Sequence, residues 1–174
     1  YMIFMDINGN GFNFSLITHD LMEEWGISMD ELDEAAEMNM PVRFPPVLLS
    51  MEEDTKRKQT GRPAANYLRQ GKKLKEDMMY VLSNRGRLHG ASVILYPGLI
   101  EKVRGILGKD FYIIPFSTEE IVIVPKKSDI RGFVLEEILM ENNAMKMPNY
   151  ILSNHIYEYD EESGYMKLMP GCMS

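Results

Sequence analysis

Apolar and polar positions fall into short blocks along the chain, and their period changes from one block to the next. Residues 1–6 and 12–17 are apolar and aromatic runs with Asn8-Gly9 and Asn10-Gly11 between them. Asn-Gly steps tolerate the positive φ angles of a tight primed turn, so this spacing predicts a β-hairpin. Thr18 then reads as the N-cap of a short helix ending at Trp25, with Gly26 in the C′ position. Ser28 and Glu31 form the S-x-x-E capping box of a second helix, running to about Asn39 and stopped by Pro41. Its apolar stripe is narrow: Leu32, Ala35 and Ala36.

Residues 42–51 contain Pro45 and Pro46 and predict an extended connection or an edge strand, because proline cannot donate to a central ladder. Residues 78–82 and 91–96 are β-like runs. After Pro97, Leu99, Val103, Ile106 and Leu107 recur at helical spacing up to Gly108. Residues 111–116 and 121–125 predict a second hairpin across Ser117-Thr118-Glu119-Glu120. Ser128 is expected to cap a longer helix whose Ile130, Val134 and Ile138, with Leu135 and Leu139, face inward. A short turn after Pro148 leads to two further runs, 155–160 and 165–169. Helices and hairpins interleave without the strand-helix-strand cadence of a parallel sheet. The predicted class is α+β with a mainly antiparallel sheet, organised as a single domain over residues 1–174.

Charge singles out one segment. Lys56, Arg57, Lys58, Arg62, Arg69, Lys72, Lys73 and Lys75 fall in a stretch with no acid from Thr55 through Lys75. The rest of the chain holds 11 bases against 26 acids, a formal −15. Gly61, Pro63 and Gly71 interrupt the stretch, so a mobile excursion or frayed helix is expected at about 52–77, the best candidate for an internal linker. Eight uncompensated cations suit phosphate contacts, but Tyr67 alone is available for base stacking, and the balance of the reading disfavours nucleic acid. The helices around Trp25-Gly26-Ile27-Ser28 have a helix-turn-helix outline. The second carries Asp30, Glu31, Asp33, Glu34 and Glu37 and no base, which is a solvated acidic face and not a DNA reader.

The chemical motifs are incomplete. Asp6, Asn8 and Asn10 fill positions one, three and five of a calcium loop and Gly11 fills six, but the glutamate of position twelve is replaced by Ile17. The hairpin turn is therefore preferred. His19, His89 and His155 lack zinc-ligand spacing, and no nucleotide loop or nucleophile elbow is legible, so neither metal nor cofactor is expected. No apolar run approaches the roughly 18 residues of a membrane span. The single cysteine, Cys172, favours a reducing, cytoplasmic location. The fifteen methionines are expected to fill the core. The densest chemistry lies in Asn84-Arg85-Gly86-Arg87-Leu88-His89-Gly90, where amide, guanidinium and imidazole groups flank glycines. With Glu119 or Glu120 as carboxylate partner, Asn84, Arg85, Arg87 and His89 form a candidate ligand-binding set. A turn whose Arg and His pair with nearby acids explains the same residues.

The blocks WGIS through DEL and AA, SNRGRLHGASVILYPGLIEKV, FYIIPFSTEEIVIVP and LSNHIYEYDEESG, in that order, resemble a domain-of-unknown-function family of clostridial and other gut bacteria. The resemblance covers most of the chain outside the basic segment. It implies longer members, of which residues from Tyr1 onward correspond to the C-terminal portion. It also implies a second Ser and a His near the second hairpin, where this chain has Phe116 and Glu119, a departure that argues against a Ser/His catalytic pair. The family carries no activity to transfer. The leading expectation is a non-enzymatic bacterial domain acting through a protein partner or self-association, because hairpins supply edges for association. The alternatives are an enzyme or small-anion binder using the 84–90 loop, and nucleic-acid binding through residues 56–75.

Overall fold

The computed structural model describes residues 1–6, 12–70, 74–75, 77–108, 110–126, 132–160, 163 and 165–169. The chain divides into two compact units, Tyr1–Asn39 and Met40–Ser174. In the first, β1 (Met2–Asp6) and β2 (Phe12–Leu16) pair antiparallel, with Met2 opposite Leu16 and Asp6 opposite Phe12. The Asn-Gly tip itself lies outside the described residues. Helix α1 (His19–Trp25) starts where Thr18 Oγ1 accepts from Leu21 N at 3.3 Å and ends at Gly26, φ 67°. Helix α2 (Met29–Arg43) opens on the reciprocal box: Ser28 N donates to Glu31 Oε2 at 2.8 Å, and Glu31 N donates to Ser28 Oγ at 3.2 Å. The backbone donor at Ser28 holds the Glu31 carboxyl below its ordinary value.

Helix α2 runs through Pro41 instead of stopping before it. A proline inside a helix costs roughly 3 kcal/mol. At the helix end tertiary contacts offset that cost: the Tyr96 hydroxyl bonds Met40 O at 3.2 Å and Phe44 O at 3.0 Å, and the Phe44 side chain is buried. Burial pushes the Tyr96 phenol up to about 12, so it stays a donor to these carbonyls.

The second unit is built on six strands: β3 (Pro46–Ser50), β4 (Tyr80–Asn84), β5 (Phe111–Ser117), β6 (Glu120–Pro125), β7 (Tyr157–Asp160) and β8 (Tyr165–Leu168). They lie in the order β3-β4-β6-β5-β7-β8, every pair antiparallel, as the α+β reading predicts. Helices α3 (Met51–Thr60), α4 (Tyr67–Gln70), α5 (Leu99–Leu107) and α6 (Gly132–Ala144) complete it. Consecutive apolar residues in β6 split between two cores. Ile121 and Ile123 join Leu48, Tyr80, Leu82 and Ile113 against α4 and α5, whereas Val122 and Val124 join Ile114 against Leu135 and Leu139 of α6. A strand covered on both faces has no polar alternate, which is why IVIV reads as a continuous run.

β3 is an edge, and a single side chain closes it. Asn66 Oδ1 accepts from Leu48 N at 3.0 Å while Asn66 Nδ2 donates to Pro46 O at 3.1 Å, imitating the peptide of a neighbouring strand. The basic segment, expected as an excursion, carries α3, α4 and the buried Leu68 and Leu74. Its α3 is capped by Ser50 Oγ, which accepts from Glu53 N at 3.2 Å. The 91–96 run is not a strand but a 3₁₀ helix, Gly90–Leu95. β4 already has β3 on one edge and β6 on the other, so no ladder position is free, and Ala91 N bonds Thr118 O instead. Ser128 and Ile130 lie outside the described residues. Within α6, Leu135 and Leu139 are buried as expected, but Val134 and Ile138 are 40% and 51% exposed.

Candidate functional site

The loop after β4 is held in a costly conformation. Arg87 (φ 58°) and His89 (φ 46°) both occupy the left-handed region, at about 1–2 kcal/mol each for a side chain with a Cβ. Local and long-range bonds hold it there. Asn84 Nδ2 donates to Leu88 O at 2.7 Å, and Arg87 N donates to Asn84 O at 3.2 Å. Ser83 Oγ donates to Glu119 O at 2.7 Å, tying the loop to the 117–120 turn. The approach is close enough to demand glycine: a Cβ at Gly90 would fall 2.1 Å from Ser83 Oγ and 2.2 Å from Glu119 O.

Arg87 is the centre of a buried ion cluster. Its Nη2 donates to Asp54 Oδ1 on α3, and its Nη1 donates to Glu120 Oε2 at the start of β6. The Asp54 side chain is fully buried and that of Glu120 is 10% exposed. Lys58, one turn along α3, lies 3.1 Å from Asp54 Oδ2, an ion-pair contact without hydrogen-bond alignment. It also donates to Glu120 Oε1 and Oε2 at 3.3 and 3.2 Å. Desolvation is the largest single influence on Arg87 and opposes its charge. The bonds and charges of Glu120 and Asp54 together outweigh it, so its pKa is raised above the ordinary arginine value. Two cations facing two carboxylates lock α3 to the loop and the turn. Neither carboxylate stands free as a base.

Of the residues singled out in sequence, the structure thus brings together Arg87, Glu120 and Lys58, with Asn84 supporting the loop. Arg85, His89 and Glu119 are exposed and take no part in the cluster. Asn84 Oδ1 is buried with no hydrogen-bond partner among the described residues. In the basic segment Lys56 pairs with Glu52 and Arg57 donates to Arg85 O at 2.7 Å. Arg62, Arg69 and Lys75 are exposed, and Lys72 and Lys73 lie outside the described residues. Asp54 escaped the sequence reading, although its i,i+4 spacing to Lys58 was a signal.

An open groove of about 240 Å³ lies between Arg104 of α5, Asp110, Lys126, Glu158 and Asp160 of β7, and Lys167 of β8. Its charges are matched: Lys126 with Glu158, Lys167 with Asp160 at 3.1 Å, and Arg104 with Asp110 at 3.7 Å. Among the described residues no group of three His, Cys, Asp or Glu side chains is placed to hold a metal ion. No helix among them is long and apolar enough to cross a membrane.

The surface feature that sequence reasoning misplaced is methionine. Met22 is the only one buried among the described residues, whereas Met38, Met145 and Met147 are 72%, 82% and 70% exposed. Several gather at α6, which is apolar on both sides. Leu135 and Leu139 face the sheet, while Val134, Ile138, Met140 and Met145 are exposed, the last directly beyond the helix end. The signal was present in GFVLEEILM, where Phe133, Val134, Ile138 and Met140 add to Leu135 and Leu139 more apolar residues than one core-facing stripe holds.

The fold and cluster define an α+β protein whose densest charge is neutralised internally and whose helix α6 leaves Val134, Ile138 and Met140 exposed opposite its buried leucines. Residues 1–161 match the family of unknown function DUF5688, and the chain belongs to that family. No curated protein and no solved structure matches the chain.

Proposed function

We propose that the chain acts by binding another protein, through the outer face of α6 and the residues that follow it. The observation that carries this reading is the pair of apolar sides on one helix: Leu135 and Leu139 buried, Val134, Ile138, Met140 and Met145 open to solvent. Methionine suits such a face, because its unbranched, polarisable side chain adapts to different partners. The ion cluster belongs to the scaffold in this account, since Arg87 and Glu120 are consumed by each other, by Asp54 and by Lys58. An enzyme or anion site built on Arg85, Arg87, His89 and Glu119 or Glu120 has less support. A bacterial origin among clostridial and gut species, and a cytoplasmic location, belong to the same proposal. They are supported by the block resemblance and by the single cysteine.

The test is a double substitution, Ile138→Glu with Met145→Glu, in the tagged chain expressed in its own cells. The proposal expects the parent to elute from a native sizing column ahead of its monomer position and the variant to elute at that position. Circular dichroism and melting should be unchanged, because both side chains are solvent-exposed. Identical elution of a folded variant and the parent contradicts it.

A further inference from the structure

The exposed face of α6 is not purely apolar. At 100° per residue, Glu137 and Glu141 fall between Met140 on one border and Val134 and Ile138 on the other. Both glutamates are exposed. The helix carries Glu136, Glu137 and Glu141 and no lysine or arginine, and Glu136 is already engaged by His155 Nδ1 at 3.2 Å. Anything that covers the apolar residues therefore also removes Glu137 and Glu141 from water.

A buried carboxylate without a counter-charge is strongly unfavourable, so the occupant must bring cations to those two positions. A second copy brings none: a two-fold pairing of this face gathers four carboxylates within about one helical turn and adds no base from α6. An anionic lipid surface fails for the same reason, as peripheral helices on such membranes carry Lys and Arg. Resting on the interaction reading above, we infer that α6 receives an amphipathic helix whose apolar stripe carries lysine or arginine one turn apart. The apolar stripe packs on Val134, Ile138, Met140 and Met145, and the cations pair with Glu137 and Glu141. The net charge of −7 draws such a segment in. The match of apolar methionine surface to a basic helix is a recurrent helix-in-groove chemistry.

The experiment uses the whole chain and three synthetic helical peptides: leucine–lysine, its leucine–glutamine counterpart, and a lysine peptide of the same charge with scrambled, non-amphipathic order. Fluorescence anisotropy should show the leucine–lysine peptide binding at least about ten-fold tighter than either control. Glu137→Gln with Glu141→Gln should weaken that peptide alone by at least about thirty-fold, because each lost carboxylate strands a desolvated cation of the peptide, leaving melting unchanged. Ile138→Ser should weaken both amphipathic peptides.

Equal binding of the lysine and glutamine peptides, both lost with Ile138→Ser, would overturn the charge assignment and leave the docking face standing. Equal binding of the scrambled lysine peptide would show only bulk charge attraction and overturn the inference. So would dimerisation through α6 in sedimentation, or binding to phosphatidylglycerol vesicles in place of the peptides. Normal in-cell assembly of the parent chain, lost with Ile138→Glu and Met145→Glu, would keep those failures separate from a failure of the interaction reading itself.

Discussion

Replacing Arg87 with methionine removes the more buried of the two cations that touch both acids while keeping a long side chain over the same surface. Asp54 is then left with Lys58 at 3.1 Å, and Glu120 with the same lysine at 3.2 Å. Lys58 is 49% exposed, so water screens it, and it cannot replace a guanidinium whose side chain is only 19% exposed. Removing one partner from a buried ion group costs roughly 3–5 kcal/mol, and the remaining lysine places Arg87→Met at the lower end, about 3 kcal/mol. For a chain of this length that is roughly 6–12 °C in Tm. The assay is urea unfolding of the variant beside the parent at about pH 7. A variant within about 0.5 kcal/mol of the parent at neutral pH refutes the reasoning, because that is the scale of an ordinary surface change.

Gly90→Ala should cost more than about 2 kcal/mol, since the added Cβ meets Glu119 O at 2.2 Å and backbone cannot step aside; a loss under about 0.5 kcal/mol in denaturant unfolding counts against the packing described. Asn66→Leu should cost about 2 kcal/mol by opening Leu48 N and Pro46 O, and should raise light scattering during refolding as the β3 edge becomes available; a soluble variant of parental stability contradicts the edge-closing role. Burial holds the Lys146 ammonium, which donates to Phe116 O, below the ordinary 10.5. The folded chain therefore binds that proton less tightly than the unfolded chain, and between the lowered value and 10.5 unfolding takes up protons. Stability relative to Lys146→Met should thus rise as pH rises toward 10.5; a flat or falling difference in urea midpoint contradicts it.

Local rules carried most of the fold. Thr18 with Gly26 and Ser28 with Glu31 are bonds between residues close in sequence, and they appear where their spacing places them. Leu135 and Leu139 were legible as inward, and the 111–125 hairpin followed from its two apolar runs around a polar turn. What failed was competition for partners. Residues 91–96 have a strand's composition but no open edge of β4 to join. Pro41 ends helices by local sterics, yet Tyr96, more than fifty residues away, holds Met40 and Phe44 in the last turn. Arg87 and Glu120 were visible as chemistry, but Asp54 between them was not, because α3 reaches them only through the fold of β3 and β4. Val134 and Ile138 were assigned inward on apolarity alone, which cannot tell a core face from an exposed apolar one.

The central claim is that the α6 face is covered in the cell. Brief peroxide treatment, followed by mass spectrometry of each methionine, measures that directly, with Met38 as an internal standard of comparable exposure to Met147. The account predicts that Met140, Met145 and Met147 oxidise several-fold more slowly, relative to Met38, in intact cells than in the purified chain. Equal relative rates in both settings would contradict it.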